Sequence, residues 1–315
     1  MDVMSTTVRK TEGLPRSNVF GARSAPRIRR GFGERIAPYL LIAPFVVSFV
    51  ILFAIPALYS LILSLYRYRG YGTATYVGTD NYERMLGYHQ FWTSWINTIV
   101  YWLGSAVVTI ILAFLLAVMV YSSDIFGKRL YKPAIFVPNV MAAVAAALIF
   151  QIIFSPGAGV LNTLLGTQIA WDQDLWWGRF AVVMLRSWHS IGWFFVIFLA
   201  GLTTVNPELY DAAKVDGANA WQSMRSITIP LMKRTFLFAL VIISINSMRL
   251  FAEPNLLFSN NLAPAKFQPI MNQLYQNLRG ADFGAAAAVA WLIFIPIVIV
   301  SLVQFRLLRE REGDA

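Results

Sequence analysis

The sequence predicts an all-α membrane protein built as one bundle of six transmembrane helices. Composition, the length of the uncharged runs and the sidedness of positive charge lead to that prediction. Of 315 residues, 57% are hydrophobic and only 13% charged, too few charges to coat a soluble domain of this size. Four stretches carry no charged side chain at all: Ile36–Tyr66, Met85–Ser123, Pro133–Trp171 and Phe283–Phe305. A helix rises 1.5 Å per residue, so about 20 residues cross a hydrocarbon layer of about 30 Å. Each stretch is long enough, and buried helices of soluble proteins rarely hold apolar runs of that length.

In chain order the spans are predicted at residues 39–66, 94–121, 133–154, 178–203, 235–259 and 283–305. The first three and the last come from the uncharged runs. The fourth contains Arg186, and the fifth contains Arg249 and Glu253. Both still qualify, because charges inside a membrane are tolerated where they face a bundle interior or a wet cavity. Pro44, Pro56, Pro133 and Pro138 are expected to kink or bound their helices. Residues 1–36, rich in Arg, Ser and Gly, read as a disordered basic cytoplasmic tail, and residues 309–315 as a short cytoplasmic C-tail. The transmembrane domain then covers 37–308, with a polar loop at 204–234.

Lysine and arginine set the orientation. The N-tail, the second-to-third connection, the 204–234 loop and the C-tail together hold 18 basic residues, and the opposite loops hold five. Both termini and the polar loop are therefore expected in the cytoplasm. The same asymmetry accounts for the net charge of +10, so the charge gives no reason to expect nucleic-acid binding; the basic tail is expected to lie near membrane lipid. There is no cysteine, which excludes disulfides and thiolate chemistry.

The polar loop carries helix punctuation. Asn206 suits an N-cap, Pro207 the first helical position, and Glu208 the positive end of a helix. Gly217 offers a stop. Asn219 and Gln222 have capping-box spacing for a second helix, which Pro230 bounds. The residues alone leave two readings, a surface loop lying on headgroups or a docking element with a small-residue face at Leu209, Ala212 and Ala213.

The stretch "DAAKVDGANAWQSMRSITIP" resembles the EAA motif of permease subunits of binding-protein-dependent ABC importers. That motif reads Glu-Ala-Ala, three residues, Gly, nine residues, Ile-x-Leu-Pro. Asp211, Ala212, Ala213, Gly217, Ile227 and Pro230 match at that spacing, with Asp211 in place of Glu and Ile229 in place of Leu. "YVGTDNYERML" (Tyr76–Leu86), "FVPNVMAAVAAALIFQIIFSPGAGVLN" (Phe136–Asn162) and "ADFGAAAAVAWLIF" (Ala281–Phe294) resemble further segments of the carbohydrate branch. The chain departs from the branch at "NNLAP" (Asn260–Pro264), where relatives carry Gly-Gly-Pro. The resemblance implies a permease in a bacterial cytoplasmic membrane whose 204–234 loop couples to an ATPase. It implies four kinds of neighbour: a second, homologous permease subunit, two ATPase subunits, an extracytoplasmic solute-binding protein, and lipid. It implies a sugar as cargo, a di- or oligosaccharide, with glycerol-3-phosphate, its diesters or a polyol as the alternative.

The chain has no phosphate loop of the G-x-x-x-x-G-K-[ST] type: Gly127-Lys128 is followed by Arg129, and Ser122 stands where the first Gly belongs. ATP and Mg²⁺ are therefore expected on the partner ATPase, with no cofactor, metal or catalytic site on this chain. Paired broken helices in inverted repeats, the mark of an ion-coupled secondary carrier, are not apparent. Candidates for the substrate path come from the two charged spans. Arg186, His189 and Trp193 recur at i, i+3, i+7, as do Asn246, Arg249 and Glu253. At helical rise, Arg186 lies roughly 12 Å from one membrane face and Arg249 roughly 21 Å from the other, which matches their depths. Trp188 and Trp193 offer stacking surfaces. The competing readings are an Arg249–Glu253 pair that only fixes packing, and a His189 that only hydrogen-bonds a neighbouring helix.

Overall fold

The computed structural model describes residues 32–122, 128–258 and 262–309. The predicted tail up to residue 31, the last six residues, and Asn260 and Asn261 in the "NNLAP" segment lie outside the described residues. Two units are distinguished, Met1–Pro56 and Ala57–Ala315.

In the first unit, α1 (Phe32–Phe49) runs through a π turn at Val50–Ala54 into α2 (Ile55–Leu63). Helix therefore begins at Phe32, inside the segment expected to be tail. The π turn has a local cause. Pro56 has no N–H, and its ring crowds the carbonyl four residues back. The helix widens just ahead of it, and Ile55 N–H bonds to Val50 O. Phe45, Phe49 and Phe53 stack along one face at i, i+4 spacing.

The second unit opens at Ala57, within α2, and a two-residue ribbon follows, β1 (Tyr66–Arg67) paired antiparallel with β2 (Thr75–Tyr76) in the register Tyr66↔Tyr76. The short α3 (Asp80–Leu86) follows, and its buried Asn81 donates to Ser64 O and Tyr66 O, closing the end of α2. The bundle is organised on α4 (His89–Ser122) and α8 (Leu175–Leu202). Phe114, Phe194, Phe195, Phe198 and Leu202 form one core between them, together with Met232 and Ile243. A second core gathers Tyr101, Phe150, Trp171, Val182, Leu185 and Leu257. Around these pack α5 (Lys128–Val140), α6 (Ala143–Ile153), α7 (Val160–Leu165), α12 (Lys233–Met248), α13 (Ala252–Phe258), α14 (Ile270–Arg279) and α15 (Phe283–Arg309). Between α8 and α12 lie α9 (Pro207–Val215), α10 (Ala220–Ser223) and α11 (Ile229–Leu231).

By length and composition, four helices among the described residues qualify as spans: Tyr39–Leu63, His89–Ser122, Leu175–Leu202 and Phe283–Leu307. Two bent pairs bring the number to six if each is one span: Leu130–Val140 with Ala143–Ile153, bent by 95°, and Ala220–Leu231 with Lys233–Met248, bent by 68°. The predicted helix at 133–154 is thus two helices. Pro133 and Pro138 lie inside α5, and the chain turns extended at Ala142 before α6 begins. The predicted helix at 235–259 also divides, ending at Met248 and resuming at Ala252. The second and fourth spans start earlier than predicted, at His89 and Leu175. Asp174 caps the latter by accepting from Trp176 and Trp177 N–H.

A strap at the end of the bundle opposite α9 holds buried polar groups that the sequence did not announce. Asn97 donates to Lys266 O and Gln268 O, each at 2.9 Å. Tyr101 donates to Phe267 O, and Thr98 accepts from Ile270 N–H. Asn255 accepts from Ala263 N–H at 2.8 Å, so the part of the "NNLAP" segment that is described is fastened from α13.

The α5 backbone lies directly on α8 at Gly192, where an added Cβ would sit 2.6 Å from Ile135 O and 2.8 Å from Phe136 Cα. Neither atom is the end of a flexible side chain. Gly192→Ala is expected to force α5 away and cost about 1–3 kcal/mol, read as a lowered melting temperature of the detergent-purified protein.

Candidate functional site

The loop between α8 and α12 folds as its punctuation predicts. Asn206 accepts from Glu208 N–H at 3.0 Å and Pro207 opens α9. Gly217 adopts φ +78°, and the Ala218 N–H reaches back to Ala213 O at 2.8 Å, the left-handed close that favours glycine. An added Cβ at Gly217 would meet nothing within 4 Å, so conformation and not space demands the glycine. Asn219 and Gln222 complete a reciprocal capping box at 2.7 and 2.9 Å. A π turn at Met224–Thr228 then precedes Pro230, as the one in the first unit precedes Pro56. The chain bends at Met232, two residues beyond the proline that was expected to end the helix.

Of the six motif residues, Asp211, Ala212, Gly217 and Pro230 are exposed, Ala213 is half-buried, and Ile227 packs against the α4–α8 core. Lys214 pairs with Asp211 at 3.1 Å, but both are largely exposed, so the pair adds little stability. A cavity of about 440 Å³ undercuts α9, lined among others by Val118, Tyr121, Leu202, Tyr210, Met224 and Thr228.

The second group of candidates is arranged differently from the expectation. Arg249 falls in the break after α12, so Asn246, Arg249 and Glu253 do not share one helical stripe. Glu253 does not pair with Arg249. Its Oε1 accepts from Arg186 Nη1 at 2.7 Å, with side-chain exposures of 8% and 17%. The pair ties α8 to the first turn of α13. Arg186 Nε is buried with no hydrogen-bond partner among the described residues. His189 Nε2 lies 3.1 Å from Met141 O, and Asn139 donates to His189 O. His189 therefore stitches α8 to the break between α5 and α6. Trp188 packs against Phe150 at 5.4 Å between centroids and is not a free stacking surface. Trp193, Asn246 and Arg249 are exposed, and no ion pair to Arg249 is found among the described residues. Sequence reasoning missed Asn139, and also Gln151, which donates to Leu256 O at 2.6 Å and binds α6 to α13. Neither carries a spacing signal, because their partners are backbone carbonyls on other helices, His189 O on α8 and Leu256 O on α13.

The family of binding-protein-dependent transport system inner membrane components matches residues 110–312, which include the capped loop and the Arg186–Glu253 pair. The chain belongs to this family. The arabinooligosaccharides transport system permease protein AraP of Bacillus subtilis is 32% identical to this transport component over 293 residues, 90% of this chain and 92% of its own length. The lactose transport system permease protein LacF of Rhizobium radiobacter is 29% identical, over 87% of this chain and 94% of its own. The sn-glycerol-3-phosphate transport system permease protein UgpA of Agrobacterium fabrum is 28% identical, over 89% and 97%. A chain of the bacterial alginate ABC transporter, solved in complex with an alginate pentasaccharide-bound periplasmic protein, superposes with a TM-score of 0.73 at 21% identity, over 89% of this chain and 97% of that one, and so shares the fold. Membership of a binding-protein-dependent family replaces the ion-coupled carrier that was the alternative of a different class.

The geometry separates the charged candidates of this transport component by cost of removal. Glu253→Gln leaves a mostly buried guanidinium without its counter-charge and is expected to cost about 3 kcal/mol, whereas Arg249→Gln removes an exposed charge and costs under about 1 kcal/mol. Replacing Arg186 and Glu253 together with leucines is expected to cost less than Glu253→Gln alone. Thermal unfolding of the purified variants orders the three.

Proposed function

We propose that this chain is one permease subunit of an ATP-driven importer. In that reading it receives a sugar, a di- or oligosaccharide, from an extracytoplasmic solute-binding protein and passes it to the cytoplasm. The observation that carries the reading is the exposed, doubly capped pair of helices at Asn206–Pro230. It projects from the bundle yet joins α12 through one bend. Such an element is a handle: it is locally rigid, it leaves Leu209 and Ala212 of its small-residue face exposed, and its far end continues into a span. The partner in this reading is a cytoplasmic ATPase present in two copies, with ATP and Mg²⁺ bound there. A second, homologous permease completes the path, since these helices enclose only part of one. In this reading both termini and the handle face the cytoplasm, which the distribution of basic residues supports.

Support for a sugar comes from relatives named for arabinooligosaccharides and lactose and from Trp193, an exposed aromatic plane on α8. Arg186 and Glu253 neutralise one another and hold the wall in shape. The groups left to touch cargo are Trp193, Asn246 and Arg249. The exposed Arg249 favours one second reading, a phosphorylated polyol, because a guanidinium pairs with phosphate in two-pronged fashion.

Asp211→Lys and Gly217→Trp are expected to abolish co-purification of the ATPase while leaving the permease folded in detergent; an ATPase still bound to both variants would refute the handle. Asn246→Ala and Arg249→Ala are expected to raise the KM of uptake about tenfold or more, on loss of one or two hydrogen bonds to cargo. Unchanged KM in both removes them from the path. Competition of labelled arabinooligosaccharide uptake by lactose against glycerol-3-phosphate decides between the two cargo classes.

A further inference from the structure

We propose that the hydrogen bond between Tyr210 and Thr228 is the strut that carries movement of α9 into the fifth span, which makes Tyr210 a positioning residue for coupling. The proposal rests on the importer reading above. None of the side chains of α9 is buried, and only Tyr210 and Ala213 are half-buried. Among the described residues, the other side-chain hydrogen bonds of α9 are local. Asn206 caps Glu208, and Lys214 reaches Asp211. Tyr210 alone crosses to another element. Its hydroxyl lies 3.0 Å from Thr228 Oγ1, 18 residues further along the chain.

Three features make that one contact mechanically special. First, α9 is hung between two joints, the turn at Thr203–Asn206 and the left-handed Gly217. Second, the cavity of about 440 Å³ beneath it leaves empty space where side chains would otherwise brace it. A helix held by two turns and undercut by a void pivots unless a third point fixes it. Third, Thr228 is 4% exposed, and its carbonyl accepts from the N–H of Met232 at 3.0 Å. Met232 is 1% exposed and is the residue at which the chain bends by 68° into α12. A push on α9 thus passes through the Tyr210 hydroxyl to Thr228, and through Met232 into α12, which ends at Met248. The Tyr210 ring packs on the α4–α8 core in any case, so Tyr210→Phe keeps the packing and deletes only the bond.

The absence of native cysteine makes the test direct. Two label pairs are installed in the full complex in liposomes, sharing a reference on α3 at Leu86→Cys. One reports on α9 through Val215→Cys, 88% exposed, and the other on α12 through Phe238→Cys, 54% exposed. ATP with Mg²⁺ is the probe, so no cargo need be known. In the wild-type background both distances are expected to change on adding nucleotide. In Tyr210→Phe and Thr228→Val the ATPase stays bound and α9 still moves, while the α12 change falls at least threefold; Thr228→Ser restores it. The double variant is expected to match either single one, since both remove the same bond. An α12 response in Tyr210→Phe and Thr228→Val equal to wild type overturns the strut. So does loss of the ATPase from Tyr210→Phe, which would make Tyr210 a docking contact. A wild-type chain that binds no ATPase and shows neither change overturns the importer reading itself, and the strut with it.

Discussion

In a hydrocarbon layer, every backbone N–H and C=O must find a partner within the protein, and the rest of this structure depends on how that demand is met. An unbroken helix meets it alone. This bundle has breaks at Met141–Ala142 and at Arg249–Phe251, and each exposes carbonyls that no neighbour in its own helix can reach. The partners are side chains. His189 of α8 serves the first break, and Asn255 of α13 donates to Phe251 O at the second. A polar residue in such a span is therefore first a repair to the backbone. That criterion makes His189 a repair to the α5–α6 break and leaves Asn246 and Arg249 exposed.

The same reasoning explains why the Arg186–Glu253 pair sits where it does. After the break, α13 begins with an acidic side chain in its first turn, where the helix dipole favours negative charge. Glu253 is thus stabilised from two sides, by its own helix and by Arg186. The pair crosses between elements, so it fixes the angle of α13 against α8. An i, i+4 pair with Arg249 would have fixed nothing beyond its own helix. The sequence showed the three charges but not their pairing, because a helical stripe was assumed to continue through residues 249–251. The helix interruption, invisible in hydropathy, reassigns the partner.

Legibility in the sequence follows the range of the interaction. Caps, glycine turns and capping boxes act within four residues, and the whole of α9–α10 was readable from Asn206, Pro207, Gly217, Asn219 and Gln222. Span existence was readable because length and hydropathy are additive along the chain. The 95° bend after Val140 was not, although Pro133 and Pro138 marked the place. Proline removes a donor, but the direction of the resulting turn is set by contact with α8, at Gly192 above all. The strap at residues 262–269 was equally hidden, since Asn97, Thr98 and Tyr101 lie on α4, more than 160 residues away from the groups they bind.

Two π turns, at Val50–Ala54 and Met224–Thr228, each stand two residues before a proline. A proline in mid-helix crowds the carbonyl four residues back, and a wide turn relieves that crowding without ending the helix. In the second case the consequence reaches the candidate site. The widened turn places Thr228 inward, buried, with its hydroxyl toward Tyr210, while its neighbours Ile229 and Pro230 remain exposed. A regular helix would close that stretch with a different residue facing the core. The Ile-x-x-Pro end of the loop motif is on this argument a device for orientation. Proline forces the wide turn, the wide turn points Thr228 at α9, and α9 gains its one side-chain bond to the stretch that leads into α12.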